Sequence, residues 1–203
     1  KTINRQKIFC LACMGLMAVA SVVLVIMLFT SGLLNKGIVW AITGGLALAN
    51  AIAAVSGENA TSELVTELAF GSYNKLFAPN RTKVDWLSAD ESNVDDYIAD
   101  PLCGADATVG LFRQMLHGIR FNQRQSNLRR MDADTPVLFV AGDKDPVGSC
   151  GKGVIQSCEA FRAAGVRDCT LKLYPGLRHE ILNEKPMQQT VYSDIHDWLS
   201  RYI

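Results

Sequence analysis

Apolar residues are spread unevenly along this chain, and their pattern divides it into three parts. Residues 8–30 run for 23 positions without a charge, behind a basic stretch carrying Lys1, Arg5 and Lys7. A run of that length can span a bilayer, and the basic flank suits a cytoplasmic end. The β-branched pairs Val22-Val23 and Val25-Ile26 fit a buried strand–helix–strand equally well. Residues 33–55 form a second apolar stretch, with Lys36 near its start and Gly44-Gly45 in its middle. Pocket-lining or lid helices have this character, and so does a weak membrane span. At Gly57 the composition turns polar. Residues 57–69 predict a short helix with Thr61 or Ser62 as N-cap and Leu64, Val65 and Leu68 as its apolar face. Residues 71–108 are rich in turn formers and predict irregular structure. Helical periodicity returns over 109–130 with Leu111, Phe112, Met115, Leu116 and Ile119.

The last seventy residues carry the clearest pattern. Thr135-Pro136 opens an apolar strand over 137–141, followed by a polar turn over 142–148. Residues 151–164 predict an amphipathic helix ended by Gly165. A second strand over 170–174 leads into a turn over 175–180. A closing helix over 187–202 turns Val191, Ile195, Trp198 and Leu199 inward. Strand, helix, strand and helix at this spacing predict an α/β fold, a parallel sheet with flanking helices built on a βαβ unit. The expected organisation is an apolar N-terminal segment (1–31), a helical cap or lid (32–130) and a C-terminal βαβα unit (131–203).

Composition narrows the function. Twenty Lys and Arg balance twenty Asp and Glu, so no net charge draws the chain to nucleic acid. Arg120, Arg124, Arg129 and Arg130 read as a solvated helix face. Six cysteines are present, and the lone pair Cys10 and Cys13 lacks the second pair that a zinc site needs. The chain is long enough to fold without a disulfide framework, so reduced, structural thiols and a cytoplasmic location are expected, or membrane association if residues 8–30 form a transmembrane helix. The first residue is Lys rather than Met, as in a processed or partial chain.

Asp145 and His179 each sit just past the C-terminal end of an expected strand, where open parallel sheets gather functional groups. Strands joined by one crossover helix are neighbours, so the two loops can bring carboxylate and imidazole within hydrogen-bond reach. The carboxylate would orient the ring and leave its other nitrogen to face a nucleophile. Taken singly, each residue reads as an ordinary turn residue; their joint placement favours a catalytic pair. His117 and His196 fall at exposed helical positions.

Residues 137–148, VLFVAGDKDPVG, and 173–180, LYPGLRHE, resemble the C-terminal portion of the α/β-hydrolase superfamily. The closest group is the serine aminopeptidase-like, monoacylglycerol lipase or lysophospholipase type, whose strands end in G-x-x-D and in a Y-x-G-x-x-H turn. The resemblance extends over roughly residues 28–203, with residues 69–104 similar to the cap. It implies that Asp145 is the triad acid and His179 the general base of a carboxylic ester hydrolase. The substrate would be a lipid-like ester, and this chemistry uses no metal or organic cofactor. Leu46, Leu48, Ile52, Leu64, Leu68 and Phe70 suit an acyl chain or ordinary core packing. One departure matters: the G-x-S-x-G nucleophile elbow is missing from this sequence. The resemblance places the nucleophile at or before the start of the chain. The weak stand-in is Cys13, in residues 8–15, IFCLACMG, where Gly15 matches the closing glycine but Leu11 replaces the opening one. The expectation is a truncated ester hydrolase; the alternatives are an inactive hydrolase remnant and a membrane-anchored hydrolase-like protein.

Overall fold

The computed structural model describes residues 36–202, with side chains from residue 42 onward. The expectations for the apolar run 8–30 and for Cys10 and Cys13 lie outside the described residues. In chain order the helices are α1 (Lys36–Ser56), α2 (Glu63–Phe70), α3 (Glu91–Ala99), α4 (Val109–Asn122) and α5 (Gln125–Leu128). Then come β1 (Val137–Gly142), α6 (Lys152–Ala164), β2 (Cys169–Tyr174) and α7 (Lys185–Leu199). Two 3-10 turns, Asn74–Phe77 and Asp85–Leu87, lie between α2 and α3.

Helix α1 buries Ile42, Leu46 and Ala49, whose spacing by four and three residues makes one stripe. Ile42 and Leu46 pack on Ile119 of α4, with Met115 and Leu116 beside them. No helix among the described residues is long and apolar enough to cross a membrane. The reading of 33–55 as a weak span is therefore corrected over its described part. The apolar stripe is covered by α4, while Asn50 and Ser56 lie exposed.

Helix α2 starts at Ser62, whose hydroxyl accepts from the Val65 amide at 3.4 Å. Its expected apolar face divides. Val65 is buried, but Leu64 and Leu68 are 56% and 68% exposed. The two leucines stand one turn apart on a single stripe that points away from the protein, and Val65 lies about 100° round the helix from Leu64. Residues 71–108 also depart from the irregular expectation. Their acidic run forms α3, capped by Asp90, which accepts from the Ser92 amide at 3.0 Å. Only Val94 of that helix is buried, so its hydrophobic signal is faint. The expected helix over 109–130 is broken into α4 and α5, and Leu111 faces out while Phe112 and Ile119 face in.

Strands β1 and β2 pair in parallel from Val137 opposite Cys169 to Gly142 opposite Tyr174. Alternation along the strands sends successive side chains to opposite faces. Phe139 and Ala141 join Val147, Val154, Cys158 and Val166 on the α6 side. Val140 and Tyr174 join Leu177, Ile181 and Val191 on the α7 side. Both faces are thus covered, and each fully buried large side chain contributes about 1.5–3 kcal/mol. Helix α7 begins two residues earlier than expected, with Pro in its first turn where the missing amide hydrogen costs nothing. Val191 is buried as expected, whereas Leu199 is exposed.

Candidate active site

The in-step register brings Gly142 and Tyr174 side by side at the ends of β1 and β2, so the two following loops leave the sheet together. They are fastened to each other by backbone. The Asp143 amide donates to the Tyr174 carbonyl at 3.0 Å and the Lys144 amide to the Leu177 carbonyl at 3.0 Å. The Gly176 amide donates to Asp143 Oδ1 at 2.8 Å. Gly176 has φ 80°, a left-handed conformation behind Pro175 that suits the third position of a type II turn.

This fastening brings Asp145 and His179 together. His179 Nδ1 lies 3.2 Å from Asp145 Oδ2 and 3.3 Å from Oδ1. The Asp145 carboxylate is fully buried, and its Oδ1 also accepts the Val147 amide at 2.9 Å. A dry carboxylate held by an amide is a fixed acceptor for an imidazole N–H. Among the described residues, His179 Nε2 makes no hydrogen bond. The indole of Trp86 covers the imidazole, with ring centroids 5.2 Å apart. Tyr73 meets Trp86 edge-on at 5.3 Å, and Phe70 stacks against Trp86 at 6.3 Å. Burial, and then the negative charge of Asp145, push the Tyr73 hydroxyl above its usual pKa.

The residues on either side of His179 tie its loop to the segment between α2 and α3. The Arg178 guanidinium donates to the Asp85 carbonyl and, at 3.0 Å, to the Ser88 carbonyl. It lies 3.9 Å from the centre of the Phe77 ring. The Arg178 amide donates to Glu184 Oε1 at 2.7 Å, and the Ala89 amide donates to Glu184 Oε2 at 3.2 Å. The Glu180 amide donates to the Leu87 carbonyl at 2.8 Å. Glu184 is fully buried, and that burial raises its pKa against the pull of these amides and of Arg178. Burial likewise lowers Arg178, opposed by Glu184 and Asp85. Burial of Asp85 acts to raise its pKa, but hydrogen bonds from the Thr82 hydroxyl and the Thr82 and Arg81 amides outweigh it and hold the carboxyl below its usual range.

Sequence reasoning placed Asp145 and His179 in loops that the structure joins. Cys13 lies outside the described residues. His117 and His196 are exposed and stand apart from the pair. Trp86, Arg178 and Glu184 were missed. The only local signals were a lone tryptophan in a polar segment and the charged run Arg178-His179-Glu180 in a turn. Among the described residues, no cluster of His, Cys, Asp or Glu could hold a metal ion.

A family model described as "Serine aminopeptidase, S33" matches residues 37–186. A monoacylglycerol lipase of Mycolicibacterium smegmatis is 32% identical over 120 residues, which make up 59% of this chain and 40% of that protein. A monoglyceride lipase of Saccharomyces cerevisiae is 30% identical over 113 residues, 53% of this chain and 34% of that protein. The crystal structure of a thermostable carboxyl esterase from Bacillus coagulans in complex with glycerol matches with a TM-score of 0.72 at 22% identity. That match covers 78% of this chain and 52% of the esterase. The chain thus spans less than half the length of the curated relatives it matches.

Proposed function

Because this chain belongs to the serine aminopeptidase, S33, family and carries part of an α/β-hydrolase fold, we propose that it bears the acid and the base of a serine-type triad acting on carboxylic esters of lipid-like alcohols. The observation that carries this reading is the contact of His179 Nδ1 with the fully buried Asp145 carboxylate, in loops that follow adjacent parallel strands. The names of the two lipases support the ester class and its lipid character.

In this reading Asp145 accepts the Nδ1 hydrogen and fixes the tautomer, which leaves Nε2 as the base. Nε2 takes the proton of the nucleophile as that group attacks the ester carbonyl, then hands it to the departing alcohol. The buried carboxylate stabilises the imidazolium that forms between those steps. Residues 32–130 serve as the cap, and 131–203 carry the acid and base. The nucleophile is assigned outside the described residues, with Cys13 as the stand-in within this sequence.

A second reading is a catalytically silent hydrolase-like chain. The absence of G-x-S-x-G from the sequence favours it. Triad members act as a unit, so an acid and a base alone contribute little. The deciding experiment treats the folded chain with a fluorophosphonate probe and an iodoacetamide probe, beside a His179→Ala control. Labelling that disappears in the control supports the hydrolase reading, and the labelled peptide identifies the nucleophile. Folded protein that takes up no fluorophosphonate, and no His179-dependent iodoacetamide, supports the silent reading.

A further inference from the structure

We propose that Cys158 and Cys169 form a thiol pair that a small-molecule disulfide oxidises to an intramolecular disulfide, fastening helix α6 to strand β2. Both thiols are free, and their sulfurs lie 3.1 Å apart in the core between α6 and the sheet. A disulfide needs them about 1 Å closer. The two cysteines share one buried cluster between the helix and the sheet. Arg162, one turn beyond Cys158 on α6, donates to the Cys169 carbonyl at 2.6 Å. Cys158 sits mid-helix and Cys169 is the first residue of β2, so regular elements hold both ends. Cys103 and Cys150, by contrast, are exposed and have no such contact with another sulfur among the described residues.

The exchange balances with one molecule of glutathione disulfide. One cysteine thiolate of the pair attacks a glutathione sulfur, forming a mixed disulfide and releasing one glutathione thiolate. The second cysteine thiolate attacks the protein sulfur of that mixed disulfide, and the second glutathione leaves. The two cysteines lose two electrons and two protons; one glutathione disulfide gains them and becomes two thiols. Burial pushes the Cys169 thiol up to about 12, with Cys158 as a further cause, so thiolate is scarce and exchange waits on local opening. Reaction over minutes to hours is expected rather than over seconds.

The linkage closes a short loop and restricts the unfolded chain. Helix α6 joins the Asp145 loop to β2, which leads into the His179 loop, so the stapled unit is the one that carries both residues. The thermal midpoint is expected to rise by roughly 5–10 °C.

The test incubates the full chain, folded, with glutathione disulfide, then blocks remaining thiols with N-ethylmaleimide in denaturant and maps the peptides by mass. A linked peptide containing Cys158 and Cys169, together with a rise in the thermal midpoint that dithiothreitol reverses, is the expected result. Both should persist in a Cys103→Ser, Cys150→Ser double variant. Recovery of Cys158 and Cys169 as maleimide adducts after prolonged incubation overturns the proposal, as does linkage of either one to another cysteine. Mapping of the unsubstituted chain decides the matter without any core variant that fails to fold.

Discussion

Gly142 lies directly against the backbone of Leu177: a β-carbon built on Gly142 would collide with the Leu177 carbonyl oxygen, and with that of Arg178. At Gly142 the end of β1 and the loop that carries His179 therefore touch backbone to backbone. This contact sets how closely Asp145 and His179 approach.

Gly142→Ala should force the His179 loop away. Overpacking of this kind costs about 1–3 kcal/mol, and here both obstructing atoms are main-chain and cannot rotate aside. Urea denaturation should show a loss toward the upper end of that range. Stability equal to the parent chain would mean that the loops are not in backbone contact.

Asp145→Asn keeps an acceptor for the Val147 amide but presents an amide N–H where the imidazole needs an acceptor. The imidazole then takes the wrong tautomer. If the chain hydrolyses esters, the rate should fall by about 10⁴-fold with little loss of folding. Steady-state hydrolysis of a short-chain ester, with circular dichroism as the folding control, checks both halves of this expectation.

Arg178→Met preserves an apolar stem over Phe77 but removes the donors to the Asp85 and Ser88 carbonyls. Hydrogen bonds to charged groups are worth about 1.5–3 kcal/mol each, and two buried carbonyls lose their partner. A loss of about 3–6 kcal/mol is expected by chemical denaturation. Arg201→Met, at an exposed position, should stay within about 0.5 kcal/mol.

Glu184 and Asp85 should leave opposite marks on the pH dependence of stability. The Glu184 carboxyl is raised above its ordinary 4.5, so the folded state holds that proton more tightly. Its contribution is full below 4.5 and is lost as pH rises through the higher folded value. Asp85 is held below its ordinary 3.8, so its contribution is present above 3.8 and is lost as pH falls through the folded value. Glu184→Gln should flatten the decline on the higher side, and Asp85→Asn the decline on the acid side. Denaturation midpoints over about pH 3 to 7 distinguish these from identical curves for all three proteins.

Phe139 is buried between the sheet and α6, with Phe161 meeting it edge-on at 5.1 Å. Phe139→Ala should cost about 3–5 kcal/mol, whereas Leu68→Ala should stay within about 0.5 kcal/mol. An equal cost at both positions would show that Leu68 is covered in solution.

The readable parts of this chain were those governed by neighbours in sequence. The apolar run after Thr135-Pro136, the amphipathic spacing before Gly165 and the second apolar run up to Tyr174 each identify one element within a residue or two of its observed ends. Helix α3 was hidden for the converse reason. Its acidic composition resembles a loop, and only Asp90 as cap and Val94 as anchor distinguish it. Leu64 and Leu68 misled because this helix carries apolar residues on two sides and only the side of Val65 is covered. Periodicity alone does not say which side is covered.

The sequence by itself determined the βαβ order, the family resemblance and the placement of Asp145 and His179 at the ends of successive strands, because strand ends and turns are encoded by nearby residues. Only the tertiary structure decided that Trp86 covers His179, that Arg178 reaches Asp85 and Ser88 from 93 and 90 positions away, and that Cys158 meets Cys169. These contacts depend on how separate elements pack, and packing joins residues whose separation along the chain leaves no period or spacing to read.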